Sequence, residues 1–250
     1  NYTLSRVSPN TTLELRAAGD IEIPFGLTSP GGVSYDFRAD TDGNGSGQIR
    51  ISNALTTAGG NIFLSGADAG FAPALQADGA INSNGGNITL QSSNSDIVLF
   101  RVNAANVNTG TGGDIFIQTP EFIRVTSNTV SLRTLGGAEI RLEHGGNGDL
   151  PFTVGDASLN GTNGSINNGA TTVPLGDYFS SVSFGNISIL TTANDDFDCL
   201  IFFSDLDDFL GSQFPGLMFY DLQWVRDCAC GIANCQPYSF LSWIYSQHTR

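Results

Sequence analysis

Four groups of residues have types and spacings that could do chemistry. Asp40-Thr41-Asp42-Gly43-Asn44-Gly45 places Asp40, Asp42 and Asn44 at alternate positions with a Gly at the sixth, as at the start of an EF-hand loop, so calcium is one reading. The twelfth position of that loop is Ile51, where a bidentate Glu belongs, and a polar corner between strands is the competing reading. Cys199, Cys228, Cys230 and Cys235 lack the paired Cys-x-x-Cys spacing that marks zinc. They are candidates for disulfides in an oxidising compartment or for unpaired thiols, and four cysteines allow three pairings. Asp36, Asp40, Asp96, Asp114, Glu139, Glu143 and Asp156 could supply the two carboxylates that glycoside chemistry needs, but no spacing selects a pair. Glu143 next to His144 also shares a strand face with Arg141, which reads as a surface ion pair. With 2 His in the chain and no Gly-x-Ser-x-Gly elbow, a Ser-His-Asp triad has no support.

The elements that must position these residues are written as a repeat. Gly, a polar residue and then Ile-x-Ile or Ile-x-Leu recur at Gly19-Asp20-Ile21-Glu22-Ile23, Gly47-Gln48-Ile49-Arg50-Ile51, Gly60-Asn61-Ile62-Phe63-Leu64, Gly86-Asn87-Ile88-Thr89-Leu90, Gly113-Asp114-Ile115-Phe116-Ile117 and Gly185-Asn186-Ile187-Ser188-Ile189. Gly137-Ala138-Glu139-Ile140-Arg141-Leu142 is a degenerate copy. The first Ile of each falls at 21, 49, 62, 88, 115, 140 and 187, so most steps are one solenoid coil long, one is about half and one nearly double. Strict alternation gives strands with one face inside, and Gly before Asn or Asp suits a corner that needs positive φ. Leu13 and Leu15, then Val33, Tyr35 and Phe37, then Ile97 and Leu99, then Val130 and Leu132 add further strands, giving two or three per coil. Such strands stack about 4.8 Å apart into a parallel β-helix rather than pair into a sandwich. The central residues Glu22, Arg50, Phe63, Thr89, Phe116, Arg141 and Ser188 would then point outward in one lengthwise stripe. Phe63 and Phe116 on that stripe form a candidate contact face for a glycan or another β-helix.

Composition narrows the partners. The net charge is −14, from 24 acidic residues against 10 basic ones that are all Arg, and such a surface repels nucleic acid and anionic lipid. No apolar run is long enough to span a bilayer, and an apolar share of 40% argues against a disordered chain. The chain begins at Asn1 and reads as a processed form or a fragment.

The stretch from about Asn10 to Thr192 resembles the repeat region of filamentous-haemagglutinin-like exoproteins of the cyanobacterial type. The resemblance is carried by Phe37-Arg38-Ala39-Asp40 leading to Gly43-Asn44-Gly45, by Thr57-Ala58-Gly59-Gly60-Asn61-Ile62, and most specifically by Pro151-Phe152-Thr153-Val154-Gly155-Asp156-Ala157-Ser158-Leu159-Asn160-Gly161-Thr162. It implies a right-handed parallel β-helix exported by two-partner secretion through an outer-membrane transporter, with adhesion or surface display as its role. An Asn-Pro-Asn-Gly signature of the secretion domain does not occur, so the chain is expected to be a middle or distal portion of such a protein.

The expected organisation is all-β: a β-helix repeat domain over residues 1–192, then an acidic, aromatic-rich C-terminal segment over 193–250. In that segment Phe197, Leu200, Ile201, Phe203, Leu206 and Leu210 recur near helical spacing, and a short helix capping the open end of the solenoid is the expectation. The expected function is a non-enzymatic, cofactor-free scaffold or adhesin-like segment, extracellular or on the cell surface. Its partner would be a surface glycan, a protein or another β-helix. The alternative is a carbohydrate-active β-helix enzyme, a polysaccharide lyase or glycoside hydrolase, which would show a long groove lined by two or more close carboxylates and an Arg, where a scaffold would show a featureless polar face.

Overall fold

The structure is a computed structural model and describes residues 2–3, 8–68, 70, 72–146 and 150–192. The cysteines Cys199, Cys228, Cys230 and Cys235, and the expected helix and cap, lie outside the described residues. Every regular element among the described residues is a strand, and the strands stack in parallel as a β-solenoid. No helix there is long and apolar enough to cross a membrane.

Each coil contributes three short strands, one to each of three stacks. The first stack contains Thr12–Arg16, Ser34–Arg38, Ile62–Asp68, Ile88–Ser92, Ile115–Gln118, Ile140–His144 and Ile187–Thr191. The second contains Ile21–Ile23, Ile49–Ile51, the first residues of Leu75–Asn82 and of Ile97–Asn103, Ile123–Val125 and Gly161–Thr162. The third runs through Leu27–Thr28, Leu55–Thr56, the last residues of Leu75–Asn82 and of Ile97–Asn103, Val130–Arg133 and Ser165–Asn167.

The repeat acquires a physical meaning in this arrangement. Tyr35, Ile62, Ile88, Ile115, Ile140 and Ile187 are successive register partners, as are Phe37, Leu64, Leu90, Ile117, Leu142 and Ile189, and all are buried. They form columns of apolar side chains along the solenoid axis, each worth about 1.5–3 kcal/mol of burial. The half-length step between Ile49 and Ile62 is a change of stack. Ile21 pairs with Ile49 in the second stack, whereas the copies from Ile62 onward lie in the first.

The polar residue before each Ile ties one coil to the next. Asn61 N–H donates to Ser34 Oγ, Asn87 N–H to Asn61 Oδ1, Asp114 N–H to Asn87 Oδ1 and Glu139 N–H to Asp114 Oδ1. These bonds are 2.9–3.0 Å long and join residues 25 to 27 positions apart, one coil each. The Gly before that residue is required by space. A Cβ on Gly60, Gly86 or Gly113 would lie 2.1, 2.3 or 2.2 Å from the carbonyl oxygen of Val33, Gly60 or Gly86. Contrary to the expectation of positive φ, none of these three glycines is in the left-handed region.

The nearly double step from Ile140 to Ile187 contains an excursion. Phe152–Val154 adds to the edge of Gly161–Thr162 in the second stack, and Gly176–Tyr178 pairs antiparallel with Phe152–Val154. Val182–Phe184 folds back antiparallel on Ile187–Thr191 at the edge of the first stack. Among the described residues, two stacks therefore end in short antiparallel strands, which interrupt the parallel ladder.

Candidate contact face

The outward residues of the first stack form two parallel rows. One runs Asp36, Phe63, Thr89, Phe116, Arg141 and Ser188 in register, and the other Arg38, Ser65, Gln91, Gln118, Glu143 and Leu190. Phe63 and Phe116 thus share a stripe, two rungs apart, with Thr89 between them. The expected stripe needs one correction, because Glu22 and Arg50 pair with each other in the second stack. Their place on the first stack is taken by Glu14 and Asp36, which are in register with each other.

Each aromatic ring is braced by an arginine that a carboxylate holds in place. The Arg38 guanidinium carbon lies 4.3 Å from the Phe63 ring centroid, and Arg38 donates to Asp36 at 2.8 and 3.1 Å. Hydrogen bonding to Asp36 raises the Arg38 pKa further above its ordinary value. The Arg141 guanidinium lies 5.6 Å from the Phe116 centroid, and Arg141 Nε donates to Glu143 at 2.8 Å. Glu143 also accepts from Gln118 Nε2 at 2.7 Å, and Gln118 Oε1 accepts from Gln91 Nε2 at 3.1 Å. Each cation–π contact contributes about 0.5–1 kcal/mol at a half-exposed site. Arg38 belongs to the rung before Phe63, and Arg141 to the rung after Phe116. The two guanidinium groups therefore flank the rings from the rungs on the far side of each from Thr89.

Beside Phe116 the surface sinks. Asp114, Ile115, Phe116, Glu139 and Arg141 line a depression of about 190 Å³, so two exposed carboxylates, an aromatic ring and a guanidinium meet at one place. Asp114 and Glu139 come from adjacent coils, joined by the corner bond already described.

The other sequence candidates are engaged locally. Asp40 Oδ1 accepts from the Gly45 and Ser46 N–H groups at 3.0 and 3.3 Å. Asp42 accepts from Asn44 Nδ2 at 2.9 Å, and Asn44 Oδ1 from Ser46 N–H at 2.8 Å. This is the bonding of a polar corner. No group of three or more His, Cys, Asp or Glu placed to hold a metal occurs among the described residues. Asp96 accepts from Phe122 N–H at 3.1 Å and from Arg124 at 2.8 Å. Burial, with a smaller repulsion from Asp96, raises the Glu121 pKa. His144 faces the core, its ring 5.3 Å from that of Phe152, and burial lowers its pKa. His144 Nδ1 lies within hydrogen-bond reach of the Gly145 carbonyl oxygen and 3.0 Å from Asn160 Nδ2, while Nε2 is buried without a partner among the described residues.

Gln91 and Gln118 were not among the residues singled out from the sequence, and Asp36 and Arg38 were named there only as a candidate carboxylate and as part of the resemblance, not as part of this face. The signal was there in the Val33, Tyr35 and Phe37 alternation, which implies outward Asp36 and Arg38, but that strand lacks the Ile-x-Ile spelling. Comparison with family models, with curated proteins and with solved structures gives no match to this chain.

Proposed function

We propose that this protein is an exported, non-enzymatic surface scaffold of the filamentous-haemagglutinin-like kind, and that the outward face of its first stack is what it presents. The observation that carries the proposal is the row Phe63, Thr89, Phe116, with each ring braced by an arginine on one side. A rigid row of half-buried aromatics on a regular solenoid suits contact with an extended partner. Three of the candidate carboxylates also support a structural role, while Asp114 and Glu139 meet Arg141 in a depression of about 190 Å³ rather than in a long groove. Both oxygens of Asp36, of Asp96 and of Glu143 accept hydrogen bonds from groups of the fold itself. A glycosidase needs a free acid and a free base or nucleophile facing one bond.

The test is accessibility on intact source cells. An antibody to residues 10–192 should label unpermeabilised cells or the medium, and externally added protease should remove the cell-bound signal. Labelling only after permeabilisation would overturn the export reading. Release of reducing sugar or unsaturated product from a polysaccharide panel would overturn the non-enzymatic one.

A further inference from the structure

We infer that the Phe63 to Phe116 stripe binds a neutral, extended, β-linked polysaccharide lying along the solenoid axis, with one sugar ring seated in the depression beside Phe116. The inference rests on the contact-face reading above and gives it a ligand class. Three observations carry it. The first is pitch. Phe63 and Phe116 are two rungs apart, so backbone hydrogen bonding sets their separation at roughly 9.6 Å, twice the strand spacing. That interval is close to two pyranose residues of an extended β-linked chain, so every second ring can meet an aromatic.

The second is the chemistry between and beside the rings. Thr89 and Gln91 occupy the intervening rung, and neither the Thr89 hydroxyl nor Gln91 Oε1 has a hydrogen-bond partner among the described residues. They can exchange hydrogen bonds with sugar hydroxyls while the C–H faces of the pyranose meet the Phe rings. In the depression, Asp114 and Glu139 can accept from sugar hydroxyls and Arg141 can donate to one. A volume of about 190 Å³ is on the scale of a single monosaccharide and is far too small for a folded protein.

The third is charge. Asp36, Asp114, Glu139 and Glu143 outnumber Arg38 and Arg141 along the stripe, and the whole chain carries −14. Anionic glycans are therefore repelled, which leaves neutral sugars as the fitting class.

The experiment is affinity electrophoresis and calorimetry of the full chain with a soluble mixed-linkage β-glucan and with xyloglucan, against α-linked dextran and anionic alginate. The neutral β-glucans should slow migration, and dextran and alginate should not. Phe63→Ser and Phe116→Ser should each weaken binding several-fold, and the pair together by about tenfold or more, with the circular dichroism of the folded parent retained. Glu139→Gln should weaken binding without removing an aromatic. The inference is overturned if neither neutral β-glucan binds, if alginate binds best, or if the paired variant binds as well as the parent. It is also overturned if sedimentation shows a dimer that the paired variant abolishes, since the face would then serve a second β-helix. Surface labelling of cells is independent of all these results, so a failed glycan test leaves the scaffold reading standing on its own experiment.

Discussion

Replacing Gly86 by Ala tests the claim that the repeat glycines exist for close coil packing. A methyl there would lie 2.3 Å from the Gly60 carbonyl oxygen and 2.5 Å from its carbon, both main-chain atoms of the preceding coil. Ordinary contact begins at 3.4 Å, so the two coils must part by about 1.1 Å at this corner, the difference between 3.4 and 2.3. Three hydrogen bonds of 2.9 Å cross the same step: Gly59 N–H to Ser83 O, Ile62 N–H to Asn87 O, and Asn87 N–H to Asn61 Oδ1. Parting by that much stretches all three beyond bonding distance. At about 1 kcal/mol net each, the loss is about 3 kcal/mol. The control is Gly110→Ala. Gly110 has a φ of 71° and nothing within 4 Å of a Cβ, so Ala there meets only the left-handed backbone, at a cost of roughly 1 kcal/mol. Urea unfolding of the full chain, followed by circular dichroism, compares the two through their midpoints at a shared slope. Gly86→Ala should lower stability about three times as much as Gly110→Ala. If it costs the same or less, the glycines do not serve close packing and the reasoning fails.

Other outcomes follow from buried or paired charges. Because burial holds the His144 pKa below its ordinary 6.5, the unfolded chain takes up the proton first as pH falls. His144 therefore leaves stability unchanged above about pH 6.5 and lowers it below, by at most about 1.4 kcal/mol per pH unit until the folded form also protonates. Urea midpoints between pH 7 and pH 5 should fall less in His144→Gln than in the parent, and parallel declines would contradict this. Asp96→Asn should move the Glu121 pKa part of the way down, because the like charge goes while the larger effect of burial stays. A carboxyl NMR titration measures it, and an upward shift would refute the assignment.

The core columns could be read from the chain because a solenoid spells its core once per coil. Ile62, Ile88, Ile115 and Ile140 recur at coil length, and period-two alternation fixes which neighbours face inward. The spelling does not say to which stack a copy belongs. Gly47-Gln48-Ile49 and Gly60-Asn61-Ile62 look alike, yet one lies in the second stack and the other in the first. That ambiguity misplaced Glu22 and Arg50 on the contact stripe while leaving Phe63, Thr89 and Phe116 correctly grouped. The excursion was legible only as a loss of pattern. Its antiparallel strands Gly176–Tyr178 and Val182–Phe184 are three residues long, too short to show a period. The burial of His144 was hidden for the same reason, since Phe152 and Asn160, which pack on it, come from that irregular stretch.

The pairing of Arg38 with Phe63 shows why a solenoid face is both hard to read and well suited to display. The two residues are 25 positions apart in the chain, yet stand on adjacent strands because one coil of backbone lies between them. No local spacing announces such a contact. The same geometry makes the interval between the Phe63 and Phe116 backbone positions a property of the main-chain ladder rather than of loops. Two strand spacings cannot be adjusted one residue at a time, because the attachment point of each ring is fixed by the register of its whole strand. A ligand with a matching repeat then meets contacts that are already ordered, and little side-chain entropy is lost on binding. The arginines reinforce this, since Asp36 and Glu143 hold them against the rings before any ligand arrives. Specificity on such a face comes from the rung between the aromatics, where Thr89 and Gln91 vary what is bonded without altering how far apart the rings stand.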